Sequence, residues 1–332
     1  MVIEWANWPE AEAAAHWDAA LTAFPDYNLY QSYGWGEFKR RHGWQVQRGI
    51  VLVDGAQEAM AQCFVREIRP ARIIVIWVPG GPAGSAAGRL HLREALARRY
   101  SGRTVYLRMN IQQEERIPDT VGLKQAGWLQ ARAPLGCRST FHLDLTLDET
   151  VLRTALSGNW RHNLRRGEER CRTMDVWSDG KPLEALYAVY RESAHRKKMS
   201  PAFSLDDVRA LRSLLGQSFT LAFCHGDSGE PLAVRGYGAI GRVGHDLIAG
   251  VTPQGRKDYA SYFLLWRMLN LAKEQGVTLY DLSGVDPEAA GGVFNFKKGL
   301  GGRSVTLVGE WEWSNARWAR FISNLAIRLR AH

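Results

Sequence analysis

The chain has 332 residues, 45% of them hydrophobic and 23% charged, and its 43 Lys and Arg against 34 Asp and Glu leave a net charge of +9. That length accommodates two ordinary domains and that composition supports packed cores, which excludes an intrinsically disordered chain. The basic excess predicts attraction to polyanions: nucleic acid, nucleotide phosphates or anionic lipid.

Residues 10–24 suit a helix, and YQSYGWGEFKRRHGW (30–44) begins another after its Gln-Ser. VQRGIVLV and AMAQCFVREI are predicted strands joined by a turn at DGAQ. RIIVIWVPGGPAG is a buried strand running into a Gly/Pro loop, RLHLREALARRY a helix, TVYLRMNI a strand, and TFHLDL (140–145) closes the first half. The second half repeats this order. DETVLRTALSGNWRHNLRRGEERC reads as one helix, with Leu152, Leu156, Trp160 and Leu164 forming an i, i+4 stripe. Two helices (LEALYAVYRESAHRKK and LDDVRALRSLLG) follow, then strands FTLAFCH, LAVRGYGAIG and VGHDLIAGVT, helix SYFLLWRMLNLAKEQG and strand TLYDLSGV. VFNFKKGLGG (293–302) reads as a strand whose Phe294 and Phe296 share one face, ending in a glycine turn. Two consecutive α+β units of similar plan imply a duplicated domain.

Four scattered cysteines (Cys63, Cys137, Cys171, Cys224) form no C-x-x-C and are expected to be buried free thiols in a reducing compartment. The first residues lack the basic-then-apolar order of a secretory signal, and the longest apolar run, IIVIWV (73–78), is strand length. A soluble cytoplasmic protein is the expectation.

Four places are candidates for chemistry. In NWRHNLRRGEER, Arg161 and Arg165 share a helix face, as do Arg166 and Arg170. They form either a phosphate-gripping ridge or a solvated face offset by Glu168 and Glu169. At VTPQGRKDYASYFLLW (251–266) a strand meets a helix, a junction whose amides suit an anion. GNAT-type acetyltransferases carry there a Gln/Arg-x-x-Gly-x-Gly/Ala loop around the pyrophosphate of coenzyme A; here Tyr259 and Ser261 occupy the glycine slots, so coenzyme A fits poorly. Lys297 and Lys298 precede the final glycines and are either pocket cations or solvent-facing. Asp281, Asp286 and Glu288 read as cap or turn residues, and no histidine pair has metal-ligand spacing.

Together these segments resemble the FemABX family of aminoacyl-tRNA-dependent peptidyltransferases, which build peptidoglycan cross-bridges. QSYGWGEFKRRHGW is similar to the family's N-terminal Gln-Ser-x-x-Trp-x-x-x-Lys helix, NWRHNLRRGEE to its basic helix, YRESAHRKKM and ASYFLLWRML to two further helices. LSGVDPEAAGGVFNFKKGLGGRSVTLVGEW carries Gly-x-Asp-Pro, Phe-Lys-Lys-Gly, Gly-Gly and Gly-Glu-Trp in order. The resemblance implies two tandem GNAT-like domains with mixed sheets flanked by helices, over 1–148 and 149–313, with helix 314–332 packing back on the first. The coiled-coil arm of longer members has no counterpart in this sequence.

It further implies an aminoacyltransferase with aminoacyl-tRNA as co-substrate, no cofactor and no metal. The acceptor is an amine of a nucleotide- or lipid-linked precursor, and the protein is expected to be a monomer. Separately, RWARFISNLAIRLR reads as a basic amphipathic helix that either packs on the first domain, the favoured reading, or makes peripheral contact with the inner membrane surface. Lys39 and Arg196 then resemble the pair gripping the precursor's diphosphate, with Trp35, Tyr259 and Phe296 also against substrate. Lys298 or Lys297, the first favoured, resembles the cation beside the aminoacyl ester, and Tyr262 a tyrosine near it. Arg161, Arg165 and Arg166 would meet tRNA. The family's Asp-Pro after the first-half strand is replaced by Asn110, an amide that takes no proton at neutral pH. Alternatives are an acyl-CoA-dependent N-acyltransferase, a tRNA-dependent enzyme acting on a natural-product amine, and a non-catalytic RNA-binding protein.

Overall fold

A computed structural model describes residues 2–5, 9–69, 71–171, 173–197, 199–226, 229–286 and 291–330. The chain begins β1 (Val2–Trp5), α1 (Glu10–Thr22), α2 (Tyr33–Arg41), β2 (Gln45–Val53), β3 (Ala56–Ile68) and β4 (Ile73–Pro79). It continues β5 (Ala83–Gly84), α3 (Ala86–Arg99), β6 (Thr104–Glu114), α4 (Ile117–Gln125) and β7 (Leu129–Gln130). Next come β8 (Ser139–Asp144), α5 (Glu149–Ala155), α6 (Gly158–Arg170), β9 (Thr173–Val176), α7 (Glu184–Arg196) and α8 (Leu205–Leu215). They are followed by β10 (Phe219–His225), β11 (Pro231–Ile240), β12 (Val243–Val251), α9 (Pro253–Lys257), α10 (Ala260–Glu274) and β13 (Leu279–Asp281). The chain ends with α11 (Gly291–Lys298), β14 (Arg303–Ser314) and α12 (Arg317–Arg330).

Contacts divide it into two compact units, 1–139 with 306–332, and 140–305. In the first unit β1-β2-β3-β4 form an antiparallel meander, β4 pairs parallel with β6 across helix α3, and β14 lies antiparallel on β6. The second unit repeats this plan. Its meander is β9-β10-β11-β12, β12 pairs parallel with β13 across α10, and β8 lies antiparallel on β13. Local chemistry sets the boundaries. Asp54 and Gly55, both at positive φ (50° and 82°), make the two-residue turn that folds β2 onto β3. Ser32 caps α2 by accepting from Trp35 N at 3.3 Å, and Ser204 with Asp207 forms a capping box on α8.

Each unit buries its own core. Val51, Cys63, Ile76, Leu96, Leu107 and Trp311 pack in the first. Phe141, Leu156, Trp160, Tyr237, Met268 and Tyr280 pack in the second. Cys63, Cys171 and Cys224 are buried as expected, and burial pushes the Cys63 thiol up to about 12. Cys137 is exposed, against expectation, because it lies in the irregular run between β7 and β8.

Three sequence expectations are corrected. Residues 149–170 form two helices, because Leu156 is extended (ψ 139°) and Ser157 accepts from Trp160 N at 3.3 Å to start the second. The stripe Leu152, Leu156, Trp160 and Leu164 is buried even so. Residues 293–298 are helical: Val293, Phe296, Lys297 and Leu300 follow the i, i+3, i+4, i+7 spacing, and the glycines on both sides had hidden it. Phe294 and Phe296 consequently point apart, onto Phe141 (ring centroids 5.5 Å) and onto Trp160 and Tyr262 (5.6 and 4.9 Å). The elements β1, α4, β5, β7, β9, α9 and β14 were not foreseen; most are short, and the others lack a clear apolar period. Glu288 lies outside the described residues.

Gly250 in β12 sits so close to α7 that a Cβ there would come 2.7 Å from Tyr190 Cα. Gly250→Ala is expected to lower unfolding stability by about 1–3 kcal/mol, as overpacking against backbone does. Urea unfolding with an unchanged m-value checks it.

Candidate active site

The parallel ladder between β12 and β13 runs Val243–Leu279, Gly244–Tyr280 and His245–Asp281, and stops there. β12 continues to Val251, while the chain after Asp281 turns at Ser283 (φ 61°). Next to this break lies a cavity of about 640 Å³ within the second unit, bounded by β11, β12, α7, the α9–α10 junction and α11.

Its floor is the buried pair Arg235 and Asp246, joined by two hydrogen bonds from the guanidinium (3.0 and 2.6 Å). The remaining charged lining residues are Arg196, Lys197, Arg256 and Lys297. With Asp246 already spent on Arg235, the described lining carries a net positive charge. The Lys197 ammonium is held below the usual lysine range, first by the protein atoms crowding it, then by Arg235, Arg196 and Arg256. Ser193, whose buried hydroxyl has no protein partner, also lines the cavity. The physical reading is a site for a multivalent anion.

Lys297 is 8% exposed and donates to the carbonyls of Ser283 and Gly284, at 3.2 and 3.3 Å. Lys298, one residue on and thus rotated around the helix, is exposed with its ammonium 5.9 Å from the Phe294 ring centroid. Asp281 braces the same turn: it accepts from Thr140 Oγ1 and, at 2.8 Å, from the Ser283 amide. His142 and His245 each lie 3.7 Å from its other oxygen. Burial alone would raise the Asp281 carboxyl, but the two imidazoles outweigh it and hold it far below the usual range.

The aromatic wall is Tyr262 and Phe296, with the buried Trp160 packed behind them. Trp160, Tyr262 and Phe296 stack edge-on or tilted at 4.9–5.6 Å, and Trp160 Nε1 donates to Phe296 O at 2.9 Å. Tyr259 takes the left-handed conformation (φ 58°) before α10, and its hydroxyl accepts from Arg166 at 2.7 Å. Arg170 donates to Lys257 O at 2.6 Å. Arg166 and Arg170 therefore clamp the α9–α10 junction. The amides of Gly255, Arg256, Asp258 and Tyr259 are taken within that junction.

Of the residues singled out from sequence, Arg196, Tyr259, Tyr262, Phe296 and Lys297 line this cavity. Arg161 and Arg165 border a separate open hollow of about 340 Å³ with Arg153 and His162. In the first unit, Trp35 is buried and the Lys39 ammonium lies 5.3–5.5 Å from the rings of Trp35, Phe38 and Trp77. Asn110 pairs in register with Glu310. Sequence reasoning missed Lys197, Ser193 and the Arg235–Asp246 pair. A signal was present for the last: opposite charges inside two consecutive apolar strands.

Residues 158–298, which carry most of this lining, match the Acetyltransferase (GNAT) domain family. No curated protein matches the chain in sequence. Among solved structures, the crystal structure of FemX is similar over 97% of this chain and 100% of that one, with a TM-score of 0.83 at 15% identity. A tandem GNAT protein from the clavulanic acid biosynthesis pathway is similar over 95% and 99%, with a TM-score of 0.56 at 13% identity. L-PGS from Bacillus licheniformis is similar over 86% and 88%, with a TM-score of 0.51 at 16% identity. The chain has the tandem GNAT-like α+β fold. Among the described residues, no helix is long and apolar enough to cross a membrane.

Two outcomes are expected. Inorganic pyrophosphate binds the cavity, and Arg256→Ala weakens it about fivefold or more by calorimetry, as loss of a charge-assisted contact does. Its affinity falls as pH rises toward about 10.4 while Lys197 loses its proton, a dependence that Lys197→Met removes. Second, a carboxyl depressed in the folded state stabilises fully above its unfolded pKa and loses that contribution as pH falls below it. Asp281→Asn should therefore flatten the drop in Tm between about pH 5 and about pH 2.

Proposed function

We propose that this protein is an aminoacyltransferase that moves an amino acid from aminoacyl-tRNA to an amine of a peptidoglycan precursor, in the cytoplasm and without a metal or cofactor. The observation carrying the proposal is the cationic cavity beside the break in the β12–β13 ladder, with the Lys297 ammonium at its edge. Both substrates are polyanions, one through its diphosphate and one through its RNA backbone. The FemX-like fold over nearly the whole chain supports the same reading.

The chemistry is aminolysis of an ester. The acceptor nitrogen attacks the carbonyl carbon, a C–N bond forms, and the C–O bond to the tRNA ribose breaks. The amine proton leaves, and the ribose oxygen departs as a hydroxyl. Positive charge around the cavity favours the neutral, nucleophilic amine over its ammonium form. The Lys297 ammonium stabilises the oxyanion that forms during attack. Because the ester is already activated, orientation by Tyr262 and Phe296, held in place by the buried Trp160, supplies much of the rest. Arg196 and Arg256 hold precursor phosphate in this scheme. The exposed Arg161 and Arg165 meet tRNA, and Arg166 acts through Tyr259.

An acyl-CoA-dependent N-acyltransferase is the second reading, favoured by the GNAT domain match. Against it stands Tyr259, whose side chain is fastened by Arg166 at the slot where a pyrophosphate loop needs glycine.

The deciding experiment incubates the protein with a mixed pool of charged tRNAs and nucleotide-linked precursor, then weighs the product. Addition of amino-acid residues is expected, and acetyl-CoA should produce neither a thermal shift nor an acetylated product. Acetylation with no aminoacyl addition would replace the first reading by the second. Lys297→Met should lower turnover about a hundredfold or more, as loss of an oxyanion donor does, with precursor affinity within about threefold. Lys298→Met should leave both within about threefold, as an exposed charge does.

A further inference from the structure

The terminal helix α12 is turned the wrong way round for a globular protein. Its protein-facing side consists of small residues: Ala319 is fully buried against Ile73 and Tyr106, with Ala316 beside it, and Ser323 is 4% exposed. Four of its large apolar residues face outward. Trp318 is 49% exposed, Phe321 71%, Ile322 37% and Leu325 46%. These four stand at i, i+3, i+4 and i+7, a continuous stripe on one face, where a helix of this kind would normally carry charge. The stripe is not loosely placed. Asn324 donates to the Glu312 carboxylate at 2.7 Å, and Asn315, just before the helix, bonds Val105 N and Arg103 O at 2.9 and 2.8 Å.

The surroundings are basic. Arg317 at the start of the helix is exposed, as are Arg69 and Arg72 in the turn between β3 and β4. That turn abuts the helix through Ile68 and Ala71, which pack in the same cluster as Ala316 and Ala319. Of the nearby acidic groups, Glu67 is paired with Arg103, and Glu312 is buried and bonded to Tyr106 and Asn324.

We propose that the outer face of α12 docks on an anionic lipid bilayer. A 14-residue helix spans about 21 Å, too short to cross a hydrocarbon core of about 30 Å, so it lies in the interface plane. Trp318, Phe321, Ile322 and Leu325 enter the boundary between headgroups and acyl chains, while Arg69, Arg72 and Arg317 meet lipid phosphates. The convex shape of a single exposed helix favours this occupant: protein partners take such a helix into a groove, whereas a fluid bilayer closes around a ridge. The inference does not depend on the transfer reaction.

Cosedimentation of the intact protein with vesicles tests it, comparing phosphatidylglycerol mixed into phosphatidylcholine with phosphatidylcholine alone. Binding is expected only to the anionic vesicles, weakening as salt rises. Phe321→Ser with Leu325→Ser should reduce it about tenfold or more, because two buried apolar side chains are lost. The Tm should hold, since both positions are exposed, and Phe321→Lys provides a second variant with the same expected loss. No binding by the unaltered protein would overturn the proposal, as would equal binding to both vesicle types or full binding by the variants. A concentration-dependent dimer in light scattering that the double substitution abolishes, with vesicle binding unchanged, would assign the face to a second copy of this chain instead.

Discussion

The candidate site depends on a ladder that stops. β12 and β13 pair in parallel for only three registers, and after His245 and Asp281 the two strands no longer share hydrogen bonds. A sheet that ends its pairing this way leaves carbonyls to be satisfied by something other than strand. Here the carbonyls of Ser283 and Gly284 receive the Lys297 ammonium. The interruption thus creates the gap and also fixes a cation at its edge. Asp281 holds the turn in shape through Thr140, the Ser283 amide and two imidazoles. A carboxylate so buried is tolerated only because its partners surround it.

The two units share a strand plan and use it differently. In the first, β4 and β6 stay paired through Pro79 and Asn110, and the neighbouring space is occupied by Gln31. Gln31 Nε2 donates to Gln62 O and Pro79 O at 3.1 and 2.7 Å, and its Oε1 accepts from Gln62 N. In the second, the matching parallel pair separates and a cavity lies there, lined by cations. One copy is sealed by an amide that satisfies backbone groups; the other is open and charged. Divergence of a duplicated fold into a bracing unit and a binding unit accounts for the contrast.

Charge placement follows the same logic. The Arg235–Asp246 pair is buried and mutually neutralised, so it shapes the cavity floor while adding little net charge. The cations around it have no such carboxylate in the lining, and Lys197 is lowered first by burial and then by their repulsion. An anion relieves that repulsion when it binds, which couples affinity to proton uptake. Arg166 and Arg170, similar in sequence context to Arg161 and Arg165, instead go to Tyr259 and Lys257 and hold the junction that forms one cavity wall.

The family resemblance pointed to five residues that line the cavity; from the sequence alone came β2, β3 and β4 of the first meander, β10, β11 and β12 of the second, the crossover helices and the repeated order of elements. Those are legible because apolar period, capping serines and turn residues act over a few neighbouring positions. The conformation of 293–298 was not legible. Flanking glycines weaken any local preference, and only packing of Phe296 on Trp160 and of Lys297 on two carbonyls decides for helix. With the helix comes the choice between the two adjacent lysines: a turn of about 100° per residue puts Lys297 against the cavity and Lys298 in solvent. The partners of Arg166 and the outward face of α12 were likewise decided by tertiary contact. Each depends on residues tens to hundreds of positions away, whose arrival no local pattern announces.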